Sequence, residues 1–149
     1  MTIYVRRILV PLDFSPHAEA VLEWAAHLAA EHASELVLLH AYNLPAEFQQ
    51  LEGTYLPPEF WARVREEATD ALERHASLLR AKGIVVQTSV REGYPASVIE
   101  EAATELGADM IVIGTRGLSG LRHLLLGSIA ERVVQRAPCP VLTVKPRGA

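Results

Sequence analysis

What most limits how this chain can fold is an alternation that runs along its whole length, in which short apolar stretches take turns with longer stretches of helical period. Ile8-Leu9-Val10 closes at Pro11, Leu36 to Leu39 ends near Ala41, and Met110 to Ile113 ends at Gly114. Short apolar runs stopped in this way are the pattern of parallel strands buried on both faces. Two further stretches alternate instead: Val86, Thr88 and Val90 against Gln87 and Ser89, and Leu142 and Val144 against Thr143 and Lys145. They read as half-exposed edge strands.

Helical periods fill the gaps. Ser15 as N-cap with Pro16 at the first helical position opens a helix carrying Ala18, Val21, Leu22, Ala25, Leu28 and Ala29 to about His32. Trp61 to Leu79 form a longer helix ending before Gly83, and Val98 to Leu106 a shorter one before Gly107. A last helix through Ile129, Val133, Val134 and Ala137 is stopped by Pro138. Strand and helix therefore alternate, which predicts an α/β fold: a five-stranded parallel sheet with helices on both faces.

With the third and fifth strands at the edges and the other three inside, the order is 3-2-1-4-5, a Rossmann-like sheet. A flavodoxin-like order would leave the apolar second strand on an edge. The winding of 3-2-1-4-5 reverses between strands 1 and 4, so a ligand is expected in the crevice at their carboxyl ends. The 149 residues suit one domain over 1–149, large enough to bury about two-thirds of its unfolded surface. The segment Asn43 to Pro58 has no clear period and is long for a connection, as a lid or a mobile loop would be.

At the expected crevice stands GTRGLSGLRHLLLGS, residues 114 to 128. Gly114-Thr115-Arg116-Gly117 follows the fourth strand, and Gly127-Ser128 precedes the last helix. Glycines let backbone N–H groups approach a ligand, and a helix start adds unpaired N–H groups and partial positive charge, so together they can cradle an anion. Arg116 and Arg122 would add charge and the Ser128 hydroxyl a donor. The competing structural account is a capping box of Ser128 with Glu131, which would explain the serine without a ligand. The segment is neither a Walker A loop, since no lysine follows Gly127, nor GxGxxG, since its glycines fall at 114, 117 and 120. Asp13, after the first strand, faces the same crevice; its carboxylate can accept from an amino group or ribose hydroxyls, or help to cap the helix near Ser15. The Ala41 backbone, at the end of the second strand, could read the edge of a base.

Composition removes other classes. A formal charge of -4 without a basic stripe argues against nucleic-acid backbones as partners. The opening residues lead straight into a strand, with no apolar stretch long enough for a signal peptide or a membrane span, so a cytoplasmic protein is expected. One cysteine, Cys139 between two prolines, allows neither an intrachain disulfide nor a Cys-based zinc cluster and agrees with a reducing compartment. The histidines at 17, 27, 32, 40, 75 and 123 make no zincin-like pair, and no protein-ligated metal is assigned. His123 lies within the glycine segment. No Ser/His/Asp or Cys/His constellation supports nucleophilic catalysis.

These residues resemble the universal stress protein family. Gly114-x2-Gly117-x9-Gly127-Ser128 matches its ATP-binding pattern without a gap, Pro11-Leu12-Asp13-Phe14-Ser15 is similar to its first-strand signature, and Leu38-Leu39-His40-Ala41, Glu92-Gly93-Tyr94-Pro95, Gly107-Ala108-Asp109 and Pro138-Cys139-Pro140-Val141-Leu142 follow in family order. The resemblance implies an ATP-binding, stress-related cytoplasmic dimer with the Rossmann-like, adenine nucleotide alpha hydrolase-like fold. By that analogy Pro11, Asp13 and the Ala41 backbone would hold adenosine, with Leu12 and Thr115 lining the pocket. Gly114, Arg116, Gly117, Gly127, Ser128 and the Ile129 N–H would hold ribose and phosphates, the last with Mg2+. The apolar edge Val141 to Val144 would pair with a second copy, as an unprotected edge invites.

Three functions are compatible with this pattern. The favoured one is a regulatory module whose bound ATP biases its partner choice; the second is a slow ATP hydrolase or phosphotransferase. The third, a phospho-receiver, needs an acidic pair after strand 1 and an aspartate after strand 3, where this chain has one Asp13 and Arg91-Glu92.

Overall fold

The structure, a computed structural model, describes residues 1–43, 56–115 and 126–146. Its elements are β1 (Arg7–Pro11), α1 (Ala18–His32), β2 (Glu35–Tyr42), α2 (Pro58–Arg80), β3 (Val86–Glu92), α3 (Pro95–Glu105), β4 (Met110–Gly114), α4 (Ser128–Arg136) and β5 (Val141–Val144). The sheet is parallel throughout, in the order β3-β2-β1-β4-β5. The edge assignment made from alternation is therefore correct, as is the reversal between β1 and β4.

Strand parity divides the core in two. Ile8 and Val10 of β1, Leu36 and Leu38 of β2, and Val112 of β4 point to the face covered by α1 and α2. Leu9, Val37, Leu39, Ile111 and Ile113 point to the face covered by α3 and α4. Because both faces are covered, β1, β2 and β4 need apolar residues at every position, which is why their sequences run without alternation. Burial of each such side chain contributes about 1.5–3 kcal/mol.

Helix boundaries differ from the sequence expectation at two entries. α1 begins at Ala18 rather than after Ser15: the Ser15 carbonyl accepts from the Ala18 N–H at 3.1 Å, so residues 15–18 form a turn ahead of the helix, and His17 occupies the N-cap without a side-chain cap bond. α2 begins at Pro58, with proline in its favoured place in the first turn, so the last residue of the aperiodic Asn43 to Pro58 stretch is helical. Residues 44–55 lie outside the described residues. The bend from β3 into α3 uses Gly93 at φ +143°, where an added Cβ would stand 2.8 Å from a Val98 methyl; only glycine fits there. No described helix is long and apolar enough to cross a membrane.

Candidate functional site

A cavity of about 480 Å³ opens at the carboxyl ends of β1 and β4, the place where a doubly wound sheet leaves a crevice. Nine residues singled out from the sequence line it: Pro11, Leu12, Asp13, Ala41, Gly114, Thr115, Gly127, Ser128 and Ile129. Arg116 and Gly117 lie outside the described residues, as do Arg122 and His123. Leu39, Ile99, Ile113 and Val21 supply apolar wall from both halves of the core.

The two ends of the glycine segment meet in the main chain. The Gly127 N–H donates to the Thr115 carbonyl at 2.7 Å, and a Cβ on Gly127 would stand 3.0 Å from that same oxygen. Gly127 is therefore needed for a close backbone crossing, and its amide is occupied within the chain. α4 then starts with Gly127 as N-cap, whose carbonyl accepts from the Glu131 N–H at 2.9 Å. The capping box expected of Ser128 and Glu131 does not form, because Ser128 is the first helical residue and no side-chain cap bond is made. What remains at this end are the amides of Ser128, Ile129 and Ala130, which have no intrahelical acceptor, and the Ser128 hydroxyl.

On the opposite wall, β1 turns into α1 through Asp13 and Phe14. Asp13 Oδ1 accepts from the Ser15 N–H at 3.0 Å, so the local capping role considered for Asp13 is met by one oxygen only. Phe14 sits in the left-handed region at φ 62°, which bulky residues seldom adopt. Its ring stacks on His40, centroids 4.2 Å apart and 29° between planes, and His40 Nδ1 lies 2.7 Å from the Leu12 carbonyl. His40, for which the sequence pattern offers no metal-binding partner, lines the cavity, as does His17. The signal for His40 was its place two residues before the end of β2, where strand parity directs it to the same face as Leu36 and Leu38.

Ser15 and Thr115 are almost fully buried and line the cavity, and neither hydroxyl has a hydrogen-bond partner among the described residues. The fully buried side-chain polar atoms without a partner among the described residues are Glu100 Oε1 and Arg132 Nε; the two hydroxyls are not among them and stay open to the cavity that their residues line. No group of histidines, cysteines and carboxylates able to hold a metal occurs among the described residues.

Comparison with known proteins gives this arrangement a context. The model of the universal stress protein family matches residues 5–145. The universal stress protein YxiE of Bacillus subtilis is 35% identical over 145 residues, which cover 93% of this chain and 98% of that one. The solved structure of MJ0577, a universal stress protein of Methanocaldococcus jannaschii, is similar at a TM-score of 0.86 and 31% identity, covering 99% of this chain and all of that one. A universal stress protein from Archaeoglobus fulgidus, solved in complex with dAMP, is similar at a TM-score of 0.66 and 26% identity, covering 97% of this chain and all of that one. The family match takes in all nine elements, from β1 to β5, and not the glycine segment alone: this chain belongs to the universal stress protein family.

Proposed function

We propose that this protein binds ATP in the cavity between β1 and β4 and acts as a stress-response regulatory module. The observation that carries this reading is how the cavity sorts its polar groups. The β1–β2 side offers the second oxygen of Asp13 and the main chain at Ala41 as acceptors, beside the Ser15 hydroxyl, which can accept or donate; these suit an exocyclic amino group and ribose hydroxyls. The α4 side offers donors, the amides of Ser128, Ile129 and Ala130 and the hydroxyls of Ser128 and Thr115, at the positive end of a helix, which suit phosphates. A nucleotide is polar in that same sense from end to end. The A. fulgidus relative with dAMP supports an adenine nucleotide.

Gly114, Arg116 and Gly117 would complete the phosphate side. A single carboxylate, Asp13, among the described lining residues makes a poor site for Mg2+ by itself, so the cation would be held through the phosphates. The chain would work as one domain, in the cytoplasm, as a homodimer paired along Val141 to Val144. Val141, Leu142 and Thr143 stay half-exposed at the sheet edge, which supports that pairing; sedimentation should then give twice the chain mass.

The test is to denature the purified protein, identify any released nucleotide, and titrate the emptied, refolded protein with ATP, AMP and GTP. ATP binding with a Kd on the order of micromolar, a common range for such ligands, is expected, with GTP weaker. Ser128→Pro is the decisive variant. Gly127 already has the extended φ of -66° and ψ of 158° that a following proline requires, and proline suits the first helical position. The fold should survive the loss of one amide and one hydroxyl while ATP affinity falls at least about tenfold. Unchanged affinity would remove the cradle. Multiple turnovers with magnesium would instead favour the slow ATP hydrolase.

A further inference from the structure

His40 holds both neighbours of Asp13. Its Nδ1 is 2.7 Å from the Leu12 carbonyl, and since a carbonyl only accepts, Nδ1 carries a hydrogen and donates it. One face of the same ring lies against Phe14. Leu12 is fixed a second time through its N–H, which donates to the Leu39 carbonyl at 2.8 Å. Between these two anchored residues, Asp13 can turn only as the pair allows.

Phe14 makes the arrangement informative. At φ 62° a phenylalanine is conformationally disfavoured and persists only where its surroundings over-determine it. Two contacts do so: the stack on His40 and the packing of Phe14 against the core beneath α1 and α2. With Phe14 held there, the chain reverses and the Ser15 N–H reaches Asp13 Oδ1 at 3.0 Å, leaving the other carboxylate oxygen for the cavity. A leucine at position 40 would fill much of the space and hold nothing.

We propose that His40 is the positioning residue of this cavity: its Nδ1–H and its ring face lock the Leu12–Phe14 turn and so aim the Asp13 carboxylate at the donor groups of the bound nucleotide. The proposal rests on the nucleotide reading above for what Asp13 meets, but not for the lock itself. The two therefore fail separately.

The test uses the full chain and three variants at position 40, with hydrogen exchange of the Ser15 amide and ATP affinity measured for each. His40→Asn carries an amide N–H close to where Nδ1–H stood. His40→Leu carries none, and His40→Gln carries its amide one bond further out, which keeps the comparison decidable where the leucine variant does not fold. With leucine or glutamine, exchange at Ser15 should rise about tenfold and ATP affinity should fall about tenfold, the worth of one well-placed hydrogen bond. With asparagine, both should change by about threefold, less than with leucine, since the bond is kept and the stack is lost. Asparagine behaving like leucine, or leucine leaving Ser15 exchange unchanged, overturns the proposal. If the parent binds no ATP, the nucleotide reading is overturned, while Ser15 exchange across the three variants still decides the lock.

Discussion

The two ends of the sheet are built from similar residues and treat them in opposite ways. At the amino end, Asp109 Oδ2 accepts from the Arg6 and Arg7 amides at 2.9 and 3.0 Å, and the Arg7 guanidinium bonds both the Glu35 carboxylate and the Leu106 carbonyl. The Ser34 hydroxyl donates to the Val5 carbonyl. The hollow there is large, about 620 Å³, yet its polar groups are committed to one another. At the carboxyl end, the Ser15, Thr115 and Ser128 hydroxyls and one oxygen of Asp13 have no hydrogen-bond partner among the described residues. Size does not separate a binding site from a surface hollow here; polar groups left open to the cavity do.

If that contrast is sound, damage to the amino end should appear as lost stability and damage to the carboxyl end as lost affinity. The largest effect is expected from Asp109→Ala, which strips two backbone amides of a charged acceptor; urea unfolding should show a loss of about 2–3 kcal/mol, with the ATP affinity of the folded protein unaltered. A matching fall in affinity would erase the distinction. Asp13→Asn keeps an acceptor for the Ser15 N–H and removes the charge, so calorimetry should show about a tenfold weaker ATP complex, roughly 1.4 kcal/mol, with stability changed by under about 0.5 kcal/mol. Thr115→Val exchanges an unbonded hydroxyl for a methyl of the same shape. Its stability should hold or rise slightly, and affinity should drop by about threefold, equivalent to under 1 kcal/mol.

The smallest effect concerns Cys139, whose thiol is raised above its ordinary value first by burial and then by the nearby Asp109 carboxylate. The folded protein thus keeps this proton at a pH where the unfolded chain releases it, so the thiol's contribution to stability is whole below the ordinary thiol pKa and is lost as pH climbs past it. Alkylation in mildly alkaline buffer should be slower in the native protein than in urea. Asp109→Ala should speed it slightly; equal native and unfolded rates would refute the shift.

The sheet order was legible because burial on two faces and on one face leave different marks: Leu36 to Leu39 cannot be an edge, and Val86 to Val90 can. The cavity followed from that order together with glycines and a helix start at the right place. What sequence could not give was the three-dimensional use of polar atoms. Nothing in the string distinguishes a serine that caps a helix from one that opens it, so Ser128 and Glu131 read as a box that Gly127 in fact replaces. The contacts of His40 are hidden for the same reason, since its partners Leu12 and Phe14 are remote in sequence and meet it only because β1 and β2 are neighbours. Phe14 carries no mark of its φ, which belongs to the turn rather than to the residue type.

The bond from Gly127 to Thr115 has an implication for how such proteins diversify. By tying the exit of β4 to the entry of α4, it fixes both ends of the glycine segment at one point of the scaffold, with Thr115 beside Gly127. Sequence changes between those two positions can therefore leave the register of the scaffold beneath them untouched.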